Sequence, residues 1–165
     1  MTMRFHDYRL ENVYLRATEA QRREAMALWQ AEGVVPDAAE RERRSDEVVL
    51  MARTPLGELA GLSSVAIVDA ADGRRFYHYR MFIKPSARIP YLMCAVTRRS
   101  RDLLQAFSHP SGPLAGLIVV AENPKLMRPG TRRELQRIGF APWGLAPAGE
   151  AVWGIEFGNP ITHSN

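Results

Sequence analysis

Phe76-Tyr77-His78-Tyr79-Arg80-Met81-Phe82-Ile83-Lys84-Pro85-Ser86-Ala87-Arg88-Ile89-Pro90-Tyr91-Leu92-Met93 is the stretch that decides how the rest of the chain is read. Its first half is aromatic and apolar, with His78 and Arg80 the strongly polar residues before Lys84. Such a run fits a pleated, largely buried strand. The second half turns through Lys84 to Ile89 into a helix. Pro90 suits the first helical position, since it has no N–H to leave unpaired and its φ is already set. A strand that feeds through a basic turn into a helix N-terminus can hold an anion. Unpaired amides and the positive end of the helix dipole both face the turn. An ordinary strand-turn-helix junction with a surface arginine fits the same residues equally well.

The chain has 165 residues, 22 basic against 18 acidic, and one cysteine. That length predicts a single domain over 1–165 with a core that needs neither disulfide nor metal. Cys94 lies in an apolar run, which points to a reducing compartment and a cytoplasmic address. The first residues, Met1-Thr2-Met3-Arg4-Phe5-His6-Asp7, contain no apolar signal segment, and no run reaches membrane-spanning length. The basic excess is arginine-borne, since the lysines are Lys84 and Lys125 alone. Most arginines alternate with acids, as in Glu40-Arg41-Glu42-Arg43-Arg44-Ser45-Asp46-Glu47. That pattern reads as a solvated helix face and not as a nucleic-acid surface.

From the N-terminus, Val13 to Ala17 is the first expected strand. Thr18 and Gln21 form a capping box for a helix that buries Ala25, Leu28 and Trp29 and stops at Gly33. Asp37 and Glu40 start a short polar helix. Strands follow over Glu47–Thr54 and Glu58–Asp69, with Gly61 marking a bulge, and Asp72-Gly73 turns the chain into the strand ending at Ile83. The helix from Pro90 to Phe107 places Leu92, Val96, Leu103 and Phe107 on one face. Gly116 to Ala121 is a fully apolar strand. It suits a sheet centre, or an edge beside a second copy in a homodimer. Thr131 and Glu134 give a further capping pattern, for a helix burying Leu135 and Ile138 before Gly139. Phe140–Trp143 and Ala151–Phe157 complete the strands, and residues from about 159 read as a frayed tail.

This order resembles the GNAT acyltransferase superfamily along nearly the whole chain. Ile83-Lys84-Pro85-Ser86-Ala87-Arg88 is similar to the strand end, proline and basic residue that open that family's acyl-CoA pyrophosphate loop. Glu122-Asn123 after a short apolar strand, then Arg137-Ile138-Gly139-Phe140, is similar to its later strand-helix-strand unit. The resemblance implies an α/β (α+β) fold with a mixed, mostly antiparallel sheet of six to seven strands and about four helices. A helix of crossover length between two apolar strands predicts, independently, that the strand ending at Ile83 runs parallel to the one ending at Ala121. The resemblance also implies that acyl chain and amine meet where these two strands splay. Two departures stand out. The family's loop glycines are here Ile89, Tyr91 and Met93, and the tyrosine that protonates the leaving thiolate is here Leu135.

The resemblance implies an N-acyltransferase that uses acetyl-CoA or a longer acyl-CoA, with no metal, on an amine of a small molecule or protein. Arg88, with the backbone at Ala87, Ile89 and Tyr91, would hold the donor. Glu122, at the carboxyl end of a central strand, and His78, on the organising strand, are the candidate bases. Glu122 is equally placed for a salt bridge to Arg128 or Lys125, and His78 for a satisfied strand histidine. Two alternatives stay open. One is an acyl-carrier-protein-dependent enzyme like the N-acyl amino acid or homoserine lactone synthases, its acidic carrier docking on Arg98, Arg99, Arg101, Arg128, Arg132 and Arg133. The other is a catalytically silent GNAT-like binding module. No membrane or nucleic-acid partner is expected.

Overall fold

The computed structural model describes residues 2–122 and 127–158. Eight strands hydrogen-bond in the order β1 (Thr2–Phe5), β2 (Tyr8–Asn12), β3 (Val48–Arg53), β4 (Leu59–Asp69), β5 (Arg75–Ile83), β6 (Gly116–Val120), β8 (Ala151–Glu156), β7 (Ala141–Leu145). The helices are α1 (Glu19–Glu32), α2 (Ala38–Ser45), α3 (Leu92–Ala106) and α4 (Pro129–Ile138). β5 and β6 run parallel, pairing Tyr77 with Leu117 and His78 with Ile118, as a helical crossover between them requires. The ladders β1/β2, β2/β3, β3/β4, β6/β8 and β7/β8 are antiparallel. β4 and β5 form a hairpin tied by Ala70 N–H to Arg74 O at its turn and Lys84 N–H to Ala60 O at its open end. The fold is thus the mixed, mostly antiparallel sheet with four helices expected, with eight strands instead of six or seven. β6 lies inside the sheet, between β5 and β8, and not at an edge.

The extra strand is at the N-terminus, where β1 and β2 make a hairpin that the sequence reading passed over. Val13 to Ala17 is not a strand. The Asn12 side chain accepts from Tyr14 N–H, Arg16 N–H returns to Val13 O, and Leu15 takes φ +57. These local bonds curl the backbone out of the ladder, although Val13 and Tyr14 are still buried.

By internal contacts the described residues of Met1–Ala66 and Arg80–Ser100 form one compact unit, and those of Ile67–Tyr79 and Arg101–Asn165 a second. In the first unit, the capping box of Thr18 and Gln21 opens α1 and left-handed Gly33 ends it, both as expected. Ala25, Leu28 and Trp29 pack with Val48, Met51 and Leu62. Asp37 caps α2 through Glu40 N–H, and the polar face pairs internally, Arg44 with Glu40 and Arg43 with Glu47. The β3/β4 register slips where Ala52 faces Gly61 and Arg53 faces Leu59, so the bulge lies beside Gly61.

The α3 stripe differs from the expected one. Leu92, Val96, Ser100 and Leu104 are buried at successive fourth positions, whereas Leu103 is half exposed. Counting apolar residues alone missed Ser100, because its hydroxyl meets Ser63 Oγ at 2.8 Å and Ser63 Oγ accepts from Leu50 N–H. Buried hydroxyls satisfied in this way sit in a core at little cost. In the second unit, α4 buries Leu135 and Ile138 and ends at left-handed Gly139. It starts at Pro129, two residues before Thr131, so the Thr131–Glu134 capping pattern lies inside the helix. Pro129 takes the first position for the reason given above for Pro90. The expected tail beyond 159 lies outside the described residues.

Candidate functional site

The loop expected to hold the donor belongs to the first unit. After Ile83 the chain makes a 3-10 turn over Pro85–Ala87, runs extended at Arg88 and enters α3 at Leu92. Pro90 therefore precedes the helix instead of opening it. The residue between them, Tyr91, has φ +66, a left-handed conformation that is unusual outside glycine. Its carbonyl accepts the first helical bond, from Ala95 N–H at 2.9 Å. So the backbone turns left-handed at one of the positions where the resemblance would place a glycine, with a tyrosine doing so and its side chain 69% exposed.

Holding a side-chain residue there costs about 1–2 kcal/mol, and glycine would return about 0.5–1 kcal/mol of that through its greater entropy loss on folding. Tyr91→Gly is therefore expected to stabilise the protein by roughly 0.5–1 kcal/mol in urea denaturation.

Three contacts fix the loop. Tyr8 Oη donates to Ala87 O at 2.8 Å, Arg88 Nε donates to Ile83 O at 3.0 Å, and Leu92 N–H reaches Ile89 O at 3.2 Å. Ala87 N–H and Arg88 N–H are used within the turn, on Lys84 O and Pro85 O. The loop's own backbone bonds leave out the N–H groups of Ile89 and Tyr91, and Pro90 has none. Ala87 thus shapes the loop, while Ile89, Tyr91 and the exposed Arg88 offer donors. Tyr8, 79 residues away in sequence, carried no sequence signal for this role.

The candidate bases belong to the second unit. His78 is half-buried on β5 opposite Ile118. Glu122 is exposed two residues past β6, its N–H turned back to Val120 O at 2.8 Å. Glu122 lies four residues past Ile118, the β6 partner of His78. Asn123 and Lys125 lie outside the described residues. Leu135 is a buried packing residue whose carbonyl accepts the N–H groups of Gly139 and Phe140.

The arginines divide. Arg101 is tied to Asp102 and to Ile138 O, whereas Arg98, Arg128, Arg132 and Arg133 are exposed. Among the described residues no three His, Cys, Asp or Glu side chains gather as metal ligands, and no helix is long and apolar enough to cross a membrane.

No protein-family model and no curated protein matches the sequence. Solved structures do match in three dimensions. A GNAT superfamily phosphinothricin acetyltransferase from Sinorhizobium meliloti, in complex with AcCoA, superposes with a TM-score of 0.67 at 15% identity, over 94% of this chain and 91% of its own. The ribosomal-protein-S5-alanine acetyltransferase of Vibrio fischeri gives 0.62 at 11%, over 99% and 100%. A GNAT family N-acetyltransferase from Escherichia coli, in complex with CoA, gives 0.60 at 16%, over 90% and 79%. The strand order, the parallel β5/β6 pair and these superpositions agree, and the chain has the fold of the GNAT N-acetyltransferase superfamily.

Proposed function

We propose that the protein is an acyltransferase that moves an acyl group from acyl-CoA to an amine of a small molecule or protein. The observation that carries this reading is the loop from Lys84 to Tyr91, held in a strained left-handed turn that presents unengaged amides and Arg88. Strain kept in a loop without a packing reason points to a binding role. It lies on a fold whose S. meliloti and E. coli examples hold AcCoA and CoA. In this account Arg88 and the N–H groups of Ile89 and Tyr91 grip the donor's phosphates.

The acceptor arrives as an ammonium, which cannot attack until a base removes a proton; Glu122 takes that role, with His78 the second candidate. The freed amine attacks the thioester carbonyl, a C–N bond forms, its nitrogen gives up a second proton to solvent, and the C–S bond breaks as the thiolate leaves. With Leu135 in place of an acid, the thiolate takes its proton from solvent. A thiol of pKa near 8.5 makes that tolerable at neutral pH.

A second reading has one observation in its favour. Tyr91 and Met93, 69% and 42% exposed, crowd the loop where glycines would let a diphosphate approach closely. A pantetheine arm on an acyl carrier protein presents one phosphate and suits such a loop better.

Calorimetric titration with acetyl-CoA, a longer acyl-CoA and an acyl-carrier substrate, followed by thiol release across a panel of amines, tests both. Arg88→Ala is expected to weaken acetyl-CoA binding by about 1.5–3 kcal/mol, the range for a charge-assisted hydrogen bond. A wild type that binds neither acyl-CoA nor acyl carrier would leave a silent module.

A further inference from the structure

A cavity of about 580 Å³ opens in the second unit, between the end of α3 and the residues that lead into β6. Its apolar wall is made by the rings of Tyr77, Phe107 and Phe157 and by Leu104 and Leu114. Gln105, Ser108 and His109 supply the polar groups, and no lining residue carries a fixed charge. A volume of this order, an aromatic lining and a few polar groups are the ordinary make-up of a small-molecule site, which spans about 300–1,000 Å³. Tyr77 is the third residue of β5, whereas the loop proposed for the donor follows its last, Ile83, and nothing in the acyl-transfer account uses the cavity residues.

The cavity's two titratable groups are both held neutral. His109 Nδ1 accepts from Ser111 N–H at 3.0 Å and lies 2.8 Å from Ser111 Oγ, which places the ring proton on Nε2. Burial and the nearby Arg75 cation both lower its pKa. Burial pushes the Tyr77 phenol up to about 12. Arg75 itself is spent on the loop, donating to Ser111 Oγ at 3.1 Å, Ser111 O at 2.9 Å and Gly112 O at 3.2 Å. These bonds fix the Ser111–Gly112 wall.

We propose that this cavity is a binding site for an uncharged aromatic small molecule carrying one hydrogen-bonding group. Aromatic rings pair edge-to-face or offset with the rings that line it. A cationic group would lose its hydration with no lining carboxylate to replace it and with the Arg75 cation nearby.

The test is a ¹H–¹⁵N NMR titration of the full chain with indole and 4-methylphenol, and with 4-methylbenzylammonium as the charged comparator of similar size. The neutral probes are expected to shift the amides of Ser108, His109, Leu114 and Gly158 with a Kd of about 1 mM or tighter. The benzylammonium is expected to bind at least about tenfold more weakly, the desolvation of its ammonium being uncompensated. Ser108 and Gln105 are both exposed at the rim, so Ser108→Trp and Gln105→Trp block the cavity without entering the core. Either is expected to weaken the neutral probes by about tenfold or more, as a blocked pocket must. The proposal is overturned if neither neutral probe shifts those amides, if the benzylammonium binds as well as they do, or if both folded Trp variants bind like wild type. None of these outcomes depends on whether the protein transfers acyl groups.

Discussion

Glu122→Gln is expected to slow acyl transfer by about 10²–10⁴-fold, the usual contribution of a positioned general base, while the Kd for acetyl-CoA stays at the wild-type value. The split follows from where the groups lie. Arg88, Ile89 and Tyr91 belong to the loop after β5, Glu122 follows β6, and Glu122 has no part in the donor contacts proposed for that loop. Gln keeps the size and hydrogen-bonding shape of Glu but cannot accept the ammonium proton. The fall should therefore appear in kcat, and partial recovery at alkaline pH is expected, where the amine arrives already deprotonated. Thiol release under saturating donor measures it. An unchanged rate would make Glu122 structural and shift the test to His78→Gln.

Arg53→Ala is expected to cost about 3 kcal/mol of stability, the low end for breaking a largely buried ion pair. Arg53 is 9% exposed. It donates to both carboxylate oxygens of Glu24, at 2.9 and 2.7 Å, to Glu11 at 2.8 Å and to Gly57 O at 3.3 Å. Removing the guanidinium leaves Glu24 without its counterion, while Glu11 keeps Arg9 at 3.6 Å. The figure sits at the low end because Glu24 is 41% exposed and water can take over part of the role.

The effect should depend on pH. The hydrogen bond from Arg53 holds the Glu24 carboxyl below its usual value against the opposing effect of burial. A depressed folded-state pKa contributes stability that is present above the ordinary carboxylate range and is lost as pH falls through the folded value. The gap between wild type and Arg53→Ala is therefore widest near neutrality and narrows as pH drops below about 4.5. Urea denaturation at a series of pH values checks both size and slope. A gap that stays constant down to acid would mean that Glu24 contributes nothing through its charge.

What could be read from the sequence followed local chemistry. Thr18 with Gln21, Asp37 with Glu40, and the glycines at 33 and 139 announce helix ends through bonds within a few residues, and all four act as expected. Alternation and apolar runs gave β3, β4, β5 and β6, and the helix between β5 and β6 gave their parallel pairing. The failures occur where a more distant or competing bond decides. Val13–Ala17 looks like a strand until the Asn12 side chain and Val13 O claim the next amides. Ser100 joins the buried stripe of α3 only because Ser63 waits across from it. Thr131 and Glu134 spell a cap, but Pro129 had already begun the helix.

The loop proposed for the donor was legible to the same extent. Its residues could be named, because proline, arginine and a following helix leave a pattern. Which amides remain to bind could not. That depends on the 3-10 turn that consumes Ala87 and Arg88 N–H, on Tyr8 anchoring Ala87 from far along the chain, and on Tyr91 adopting a glycine-like conformation.

The account rests on that loop receiving the donor, and a ¹H–¹⁵N NMR titration with acetyl-CoA reads it residue by residue. The amides of Ile89, Tyr91 and Met93 and the Arg88 side chain should shift most, saturating together, and Arg88→Ala should displace the whole set to higher ligand concentration. Saturable shifts confined to other residues, or none at all in a folded wild-type sample, would contradict it.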